Sequence, residues 1–109
     1  MICNSWDVVV TPFPFTDSVN TKRRPALVLS AAAFNSEGFT LLAMITKAVG
    51  SNWSTDCAID FQAAGLQTDC IVRMKLFTLD SRLIERKVGV LSALDVVKVK
   101  QSLRSILPS

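Results

Sequence analysis

The chain has 109 residues, half of them hydrophobic and 19% charged, so it carries enough apolar side chain for one packed core and falls outside the disordered class. Its net charge of +3 and pI near 9.0 favour polyanionic partners without specifying one. The complete lack of histidine excludes paired-imidazole ribonuclease chemistry and the Ser-His-Asp triad.

Residues 7–15, D-V-V-V-T-P-F-P-F, read as a β-branched strand that runs into a loop where alternating Pro and Phe end the ladder. Residues 16–24 form a polar connection that ends in three cations, Lys22, Arg23 and Arg24, the most basic segment of the chain. Residues 25–30, P-A-L-V-L-S, predict a buried strand, and 31–35 a short helical turn before Ser36, Glu37 and Gly38 reverse the chain. Residues 39–46, F-T-L-L-A-M-I-T, are too short and too uniformly apolar for a surface helix and predict a central strand.

A polar loop over 47–56 surrounds one large aromatic, Trp53. Residues 57–61 predict another short strand, with Gly65 marking the turn after it. Residues 70–79, C-I-V-R-M-K-L-F-T-L, alternate so that Arg73 and Lys75 share the face opposite Val72, Met74 and Leu76. The sequence S-A-L-D over 92–95 has the form of an acidic helix cap, and Leu94, Val97, Leu103, Ile106 and Leu107 recur at helical spacing. Several short strands and one long helix predict an α+β fold, mainly β: a small barrel or curled sheet closed by a C-terminal amphipathic helix, in a single domain over 1–109.

The longest apolar stretches, 26–29 and 41–45, fall far short of the roughly 20 residues a spanning helix needs. No secretory signal is recognised, so the expectation is a cytoplasmic protein without membrane contact. Cys3, Cys57 and Cys70 are odd in number and widely spaced, and read as small buried hydrophobes in the reduced state. Walker-A, G-x-G-x-x-G and H-E-x-x-H patterns are missing, so no metal and no cofactor is expected. The groups left for chemistry are Arg, Lys, Thr, Ser and Asp. RNA can still be cleaved by its own 2′-hydroxyl when a guanidinium, which keeps its charge at any working pH, and hydroxyl groups stabilise the charge growing on the phosphate.

Four blocks in order, W-D-V-V-V-T-P-F-P-F-T-D, K-R-R-P-A-L-V-L-S, M-I-T-K and I-V-R-M-K, resemble those of MazF/PemK-type toxins along most of the chain. The resemblance implies an SH3-like barrel, a homodimer, a cognate antitoxin protein, and sequence-selective cleavage of single-stranded RNA that leaves a 2′,3′-cyclic phosphate and a 5′-hydroxyl. Such cleavage of mRNA inhibits translation and growth. Matched by position, Arg24 takes the place of the family's catalytic arginine and Thr46 that of its partner hydroxyl. Arg23, Lys47, Trp53, Arg73 and Lys75 are the accompanying substrate-binding candidates. Three positions depart from the family pattern: Ser5-Trp6 stands where a Gly usually precedes the Asp, Lys47 where a second hydroxyl is common, and Lys75 where some relatives are acidic.

Alternatives remain at this point. Arg24 has a plain reading as a solvated cation and Thr46 as an ordinary strand-end residue, while Arg73 and Lys75 read equally as a wet strand face. Trp53 stacks on a base or an antitoxin side chain or folds back onto the barrel, and Asp7 either holds an arginine or serves a turn or strand start. Two rival functions follow: a non-catalytic toxin of the same fold that inhibits a topoisomerase, and an inactive module that binds RNA or an antitoxin only.

Overall fold

Residues 1–13, 22–50 and 52–108 are described by a computed structural model. Its strands are β1 (Asp7–Pro12), β2 (Arg23–Val28), β3 (Phe39–Lys47), β4 (Cys57–Ala58), β5 (Cys70–Asp80) and β6 (Arg86–Val90). They form one antiparallel sheet in the order β4-β5-β3-β2-β1-β6, curled into a half-barrel. A one-turn helix, α1 (Ala32–Asn35), connects β2 to β3, and α2 (Ala93–Ile106) follows β6.

The central strands are apolar on both sides because both sides of the sheet are buried. Val8, Leu27, Ala43, Ile45 and Val72 point to one face, where Val99 of α2 packs on them. Their neighbours in sequence Val9, Ala26, Val28 and Leu42 point to the other, with Phe77 and Ile84. At the helical end of that second face Asn35 is wholly buried, donating to the carbonyls of Cys3 (2.8 Å) and Ser30 (3.1 Å), and Ser30 Oγ donates to its Oδ1. Every polar atom of that amide is thus used, the condition for burying it at low cost.

Most of the anticipated elements are present, with four differences. Arg23 and Arg24 lie inside β2 rather than in the connection before it, because both pair with β1, Arg24 opposite Thr11. The strand expected over 57–61 is only two residues long: the Asp60 amide turns away to donate to the Asp95 carboxylate on α2 at 2.7 Å. β6 was not anticipated, since R-K-V-G-V has neither a clean alternation nor an unbroken apolar run. In α2 the buried side chains are Asp95 and Val99, with Val96 and Leu103 packed against the core, while Leu94 and Val97 are 81% and 54% exposed. Ser92 caps this helix as expected, accepting from the Asp95 amide at 3.2 Å. Phe15 and the loop over 16–21 lie outside the described residues.

Trp6 adopts φ +75°, a left-handed backbone that costs an L-residue roughly 1–2 kcal/mol. Two hydrogen bonds hold it there, its amide donating to the Val28 carbonyl (2.7 Å) and its carbonyl accepting from the Leu91 amide (2.9 Å). The indole packs on the first core cluster, with the Lys100 ammonium 5.8 Å from its ring centre, so apolar contact offsets the backbone strain. Asp7 next to it serves the strand start. It accepts from the Asn4 amide at 2.9 Å and pairs with Lys87 at 3.2 Å, not with an arginine.

Candidate nucleic-acid site on the β1-β2-β3 face

The β1-β2 register, and that of β2-β3 continued past its last pair, bring three polar side chains toward one row. Thr11 is the direct partner of Arg24. Ala26 pairs with Met44, and extending that antiparallel register by two residues sets Arg24 opposite Thr46. All three alternate with residues of the helix-covered face, so their side chains belong to the opposite face, that of Val9, Ala26 and Leu42. Pro25 has no amide to donate to a ladder, which fits the end of the recorded β2-β3 pairing at Ala26.

Arg24 is half-buried. Its guanidinium carbon lies 5.4 Å from the centre of the Phe13 ring, and Phe13 in turn meets Phe77 edge to face at 6.2 Å. The ring thus offers the cation an electron-rich surface and no competing anion. Among the described residues, Arg24 forms no ion pair, and its buried Nε has no hydrogen-bond partner. A guanidinium held this way retains its capacity to fork onto phosphate oxygens.

Around the strand ends a cleft of about 460 Å³ is bounded by Arg24, Thr46, Lys47 and Arg86 and floored by Val10, Pro25, Ile45 and Cys70. Its floor is the helix-side face, so Arg24 and Thr46 edge it from across the sheet. Three cations and no carboxylate appear among its described lining residues, which suits a polyanion running along this edge. The far wall is the turn over 65–68, locked by a close crossing of two backbones. A Cβ on Gly65, which has φ +80°, would stand 2.0 Å from the Val88 carbonyl oxygen, and one on Gly89 would stand 2.3 Å from that of Ala64. Arg86 was missed by sequence reasoning because its strand was missed; the one hydroxyl in the strand D-V-V-V-T-P was the available signal for Thr11.

The remaining predicted site residues divide. Lys47 shares the cleft with Arg24 and Thr46, whereas Arg23 is exposed and its Nε donates to Glu85 at 2.6 Å. Arg73 and Trp53 form a separate unit with Asp56: Arg73 donates to both carboxylate oxygens at 3.1 and 2.9 Å and lies 4.9 Å over the indole, and the Trp53 amide donates to the same carboxylate at 2.8 Å. Lys75 is half-buried on the same side of β5 as Arg73. No group of three His, Cys, Asp or Glu side chains converges among the described residues as a metal site would need.

The Arg73 hydrogen bonds hold the Asp56 carboxyl below its usual pKa, against an opposing effect of burial, and raise that of Arg73 further. A depressed folded value means that the stabilisation is complete above the unfolded carboxylate pKa of about 3.9 and is lost as pH falls through the folded one. Acid titration of a Trp6→Phe variant should therefore show the Trp53 emission change below pH 3.9, and Asp56→Asn should show the released spectrum already at pH 7. Emission in Asp56→Asn identical to that of its parent would contradict this. The Cys3 thiol is pushed up, first by burial and then by Asp7, which suits an inert core residue. All three cysteines are buried and free.

The curled sheet thus displays an arginine that forms no ion pair among the described residues, on the same face as two hydroxyls. The chain belongs to the PemK-like, MazF-like toxins of type II toxin-antitoxin systems, whose family model matches residues 4–107. Its fold is that of solved MazF structures. A MazE-MazF crystal structure from Deinococcus radiodurans is 23% identical, with a TM-score of 0.77 over 97% of this chain and 96% of that one. The Mycobacterium tuberculosis toxin MazF-mt6 is 19% identical, with a TM-score of 0.75 over 91% and 93%. A mycobacterial endoribonuclease in complex with its cognate antitoxin is 15% identical, with a TM-score of 0.77 over 98% of each chain. The sheet and C-terminal helix accordingly match the SH3-like barrel anticipated above. No curated protein matches significantly. Among the described residues no helix is long and apolar enough to cross a membrane.

Proposed function

We propose that the protein is a ribonuclease toxin that cleaves single-stranded mRNA without a metal, with Arg24 and Thr46 as its catalytic pair. The observation that carries this reading is that both residues border one cleft, with the Arg24 guanidinium against the Phe13 ring and in no ion pair among the described residues. The substrate's 2′-oxygen attacks the adjacent phosphorus and gives up its proton, and the bond from phosphorus to the 5′-oxygen breaks. The 5′-oxygen takes a proton, which leaves a 2′,3′-cyclic phosphate and a 5′-hydroxyl. Arg24 lowers the barrier by binding two non-bridging oxygens more tightly as their charge grows, and the Thr46 hydroxyl donates to the same group.

Lys47 and Arg86 would hold flanking phosphates, and the exposed part of Trp53 offers a base a stacking surface. Arg23 and Lys75 would contribute charge at the margins. The toxin is proposed to act in the cytoplasm as a homodimer of one domain per chain, held by an antitoxin until released. The antitoxin part is supported by two of the solved relatives, a MazE-MazF structure and an endoribonuclease in complex with its cognate antitoxin.

Incubation with a long transcript in EDTA should give discrete cuts with 5′-hydroxyl ends, and Thr46→Val should slow them about tenfold, the loss of one donor. Intact RNA at high protein concentration would reject the proposal, and inhibited DNA supercoiling without RNA loss would point to the topoisomerase reading instead.

A further inference from the structure

Two buried side-chain polar atoms, Thr11 Oγ1 and Arg24 Nε, lack a hydrogen-bond partner among the described residues. A buried hydroxyl left unpaired costs about 1–3 kcal/mol, and native structures keep few of them. Here both atoms fall on one directly facing pair of β1 and β2, on the same face of the sheet. Thr11 is 0% exposed, so water from the bulk does not satisfy it. One atom is an obligate donor and the other an oxygen with two lone pairs. Facing residues on one side of an antiparallel pair hold their Cβ atoms about 4.5–5.5 Å apart, close enough for a hydrogen bond after a rotamer adjustment.

We propose that Thr11 is a positioning residue for Arg24: its Oγ1 accepts the Nε–H when an anion occupies the site. The guanidinium then has its plane fixed at one edge by Thr11 and on one side by the Phe13 ring, and both terminal nitrogens point outward as a fork. A phosphate bound by that fork meets a cation that need not reorient as charge develops. The hydroxyl is retained at a cost in stability, which is the behaviour of a functional rather than a packing residue. This inference rests on the ribonuclease reading for its kinetic consequences and on the paired geometry alone for its spectroscopic one.

Thr11→Val keeps the shape of the side chain and removes the hydroxyl; Thr11→Ser keeps the hydroxyl. The valine variant should melt several degrees higher, as the unpaired polar atom is gone, yet turn RNA over about tenfold more slowly with little change in KM. The serine variant should retain turnover within about twofold. In an Arg24→Lys background, which lacks the Nε–H, adding Thr11→Val should have no further effect on turnover. Valine with wild-type turnover, or an equal loss in valine and serine, overturns the proposal. Should the wild-type protein leave RNA intact, the ribonuclease reading falls and the pairing is still read by NMR, with inorganic phosphate as the anion. The Arg24 Nε–H should then exchange with solvent at least about tenfold faster in Thr11→Val than in the wild type or Thr11→Ser. Equal exchange in all three overturns it.

Discussion

Arg24→Ala is expected to slow RNA cleavage by about 10²–10³-fold, the cost of removing one preorganised donor to a developing oxyanion, or about 2.7–4 kcal/mol. Arg24→Lys should recover little of this, because a lysine supplies a point charge and not the planar fork that matches two phosphate oxygens. The fold should be untouched by either change, since Arg24 forms no ion pair among the described residues and sits at the open end of β2. Circular dichroism and melting close to wild type, together with collapsed turnover, would separate this loss from misfolding. A lysine variant with full activity would mean that charge alone suffices and that the fork geometry is irrelevant.

Gly89→Ala should strongly lower stability. Its Cβ would stand 2.3 Å from the Ala64 carbonyl oxygen and 2.9 Å from the Gly65 amide nitrogen, so two backbones must separate to admit one methyl group. Overpacking of this kind costs about 1–3 kcal/mol, and at about 4–8 °C per kcal/mol for a chain of this size the melting temperature should fall by roughly 5–20 °C. Gly65→Ala meets the Val88 carbonyl oxygen at 2.0 Å and adds a left-handed backbone, so it should fall at least as far. Because the turn over 65–68 walls the cleft beside Arg24 and Lys47, both variants should also bind RNA more weakly at temperatures where they remain folded. A melting temperature within a degree of wild type would show that the crossing relaxes freely.

β2 and β3 were legible because residues 26–28 and 41–45 are apolar runs bounded by polar loops, and β5 because its buried residues alternate with Arg73 and Lys75. β6 was not, since its pairing with β1 involves a register shift between Val8 and Val9 and its outward residues are cationic. The helix was legible in extent but not in orientation. Apolar spacing selected Leu94 and Val97, whereas tertiary contact buries Val99 and the carboxylate of Asp95, which serves the Asp60 amide at 2.7 Å. A polar side chain buried for a distant backbone bond leaves no periodic trace in a sequence.

The site divides in the same way. Arg24 and Thr46 were singled out from the R-R-P and I-T blocks, but that they border one cleft is a property of the folded sheet. Arg73 and Trp53 carry the side-chain types expected of a nucleic-acid surface, yet Asp56 engages both, the arginine through its guanidinium and the tryptophan through its backbone amide. Its spacing, 17 residues from Arg73, gave no local sign of the pairing. Thr11 is fully buried, so exposure-based reasoning passed over a hydroxyl on the residue that pairs with Arg24 across β1 and β2.

The most direct test uses an RNA oligonucleotide that the protein cuts at one phosphodiester, and the same oligonucleotide with a single 2′-deoxy sugar on the 5′ side of that bond, both in EDTA. The account predicts that the deoxy strand binds with similar affinity, remains intact at that position and inhibits cleavage of the all-ribose strand. Scission of the deoxy strand at the same bond would contradict it, because the nucleophile would then have to come from somewhere other than the RNA itself.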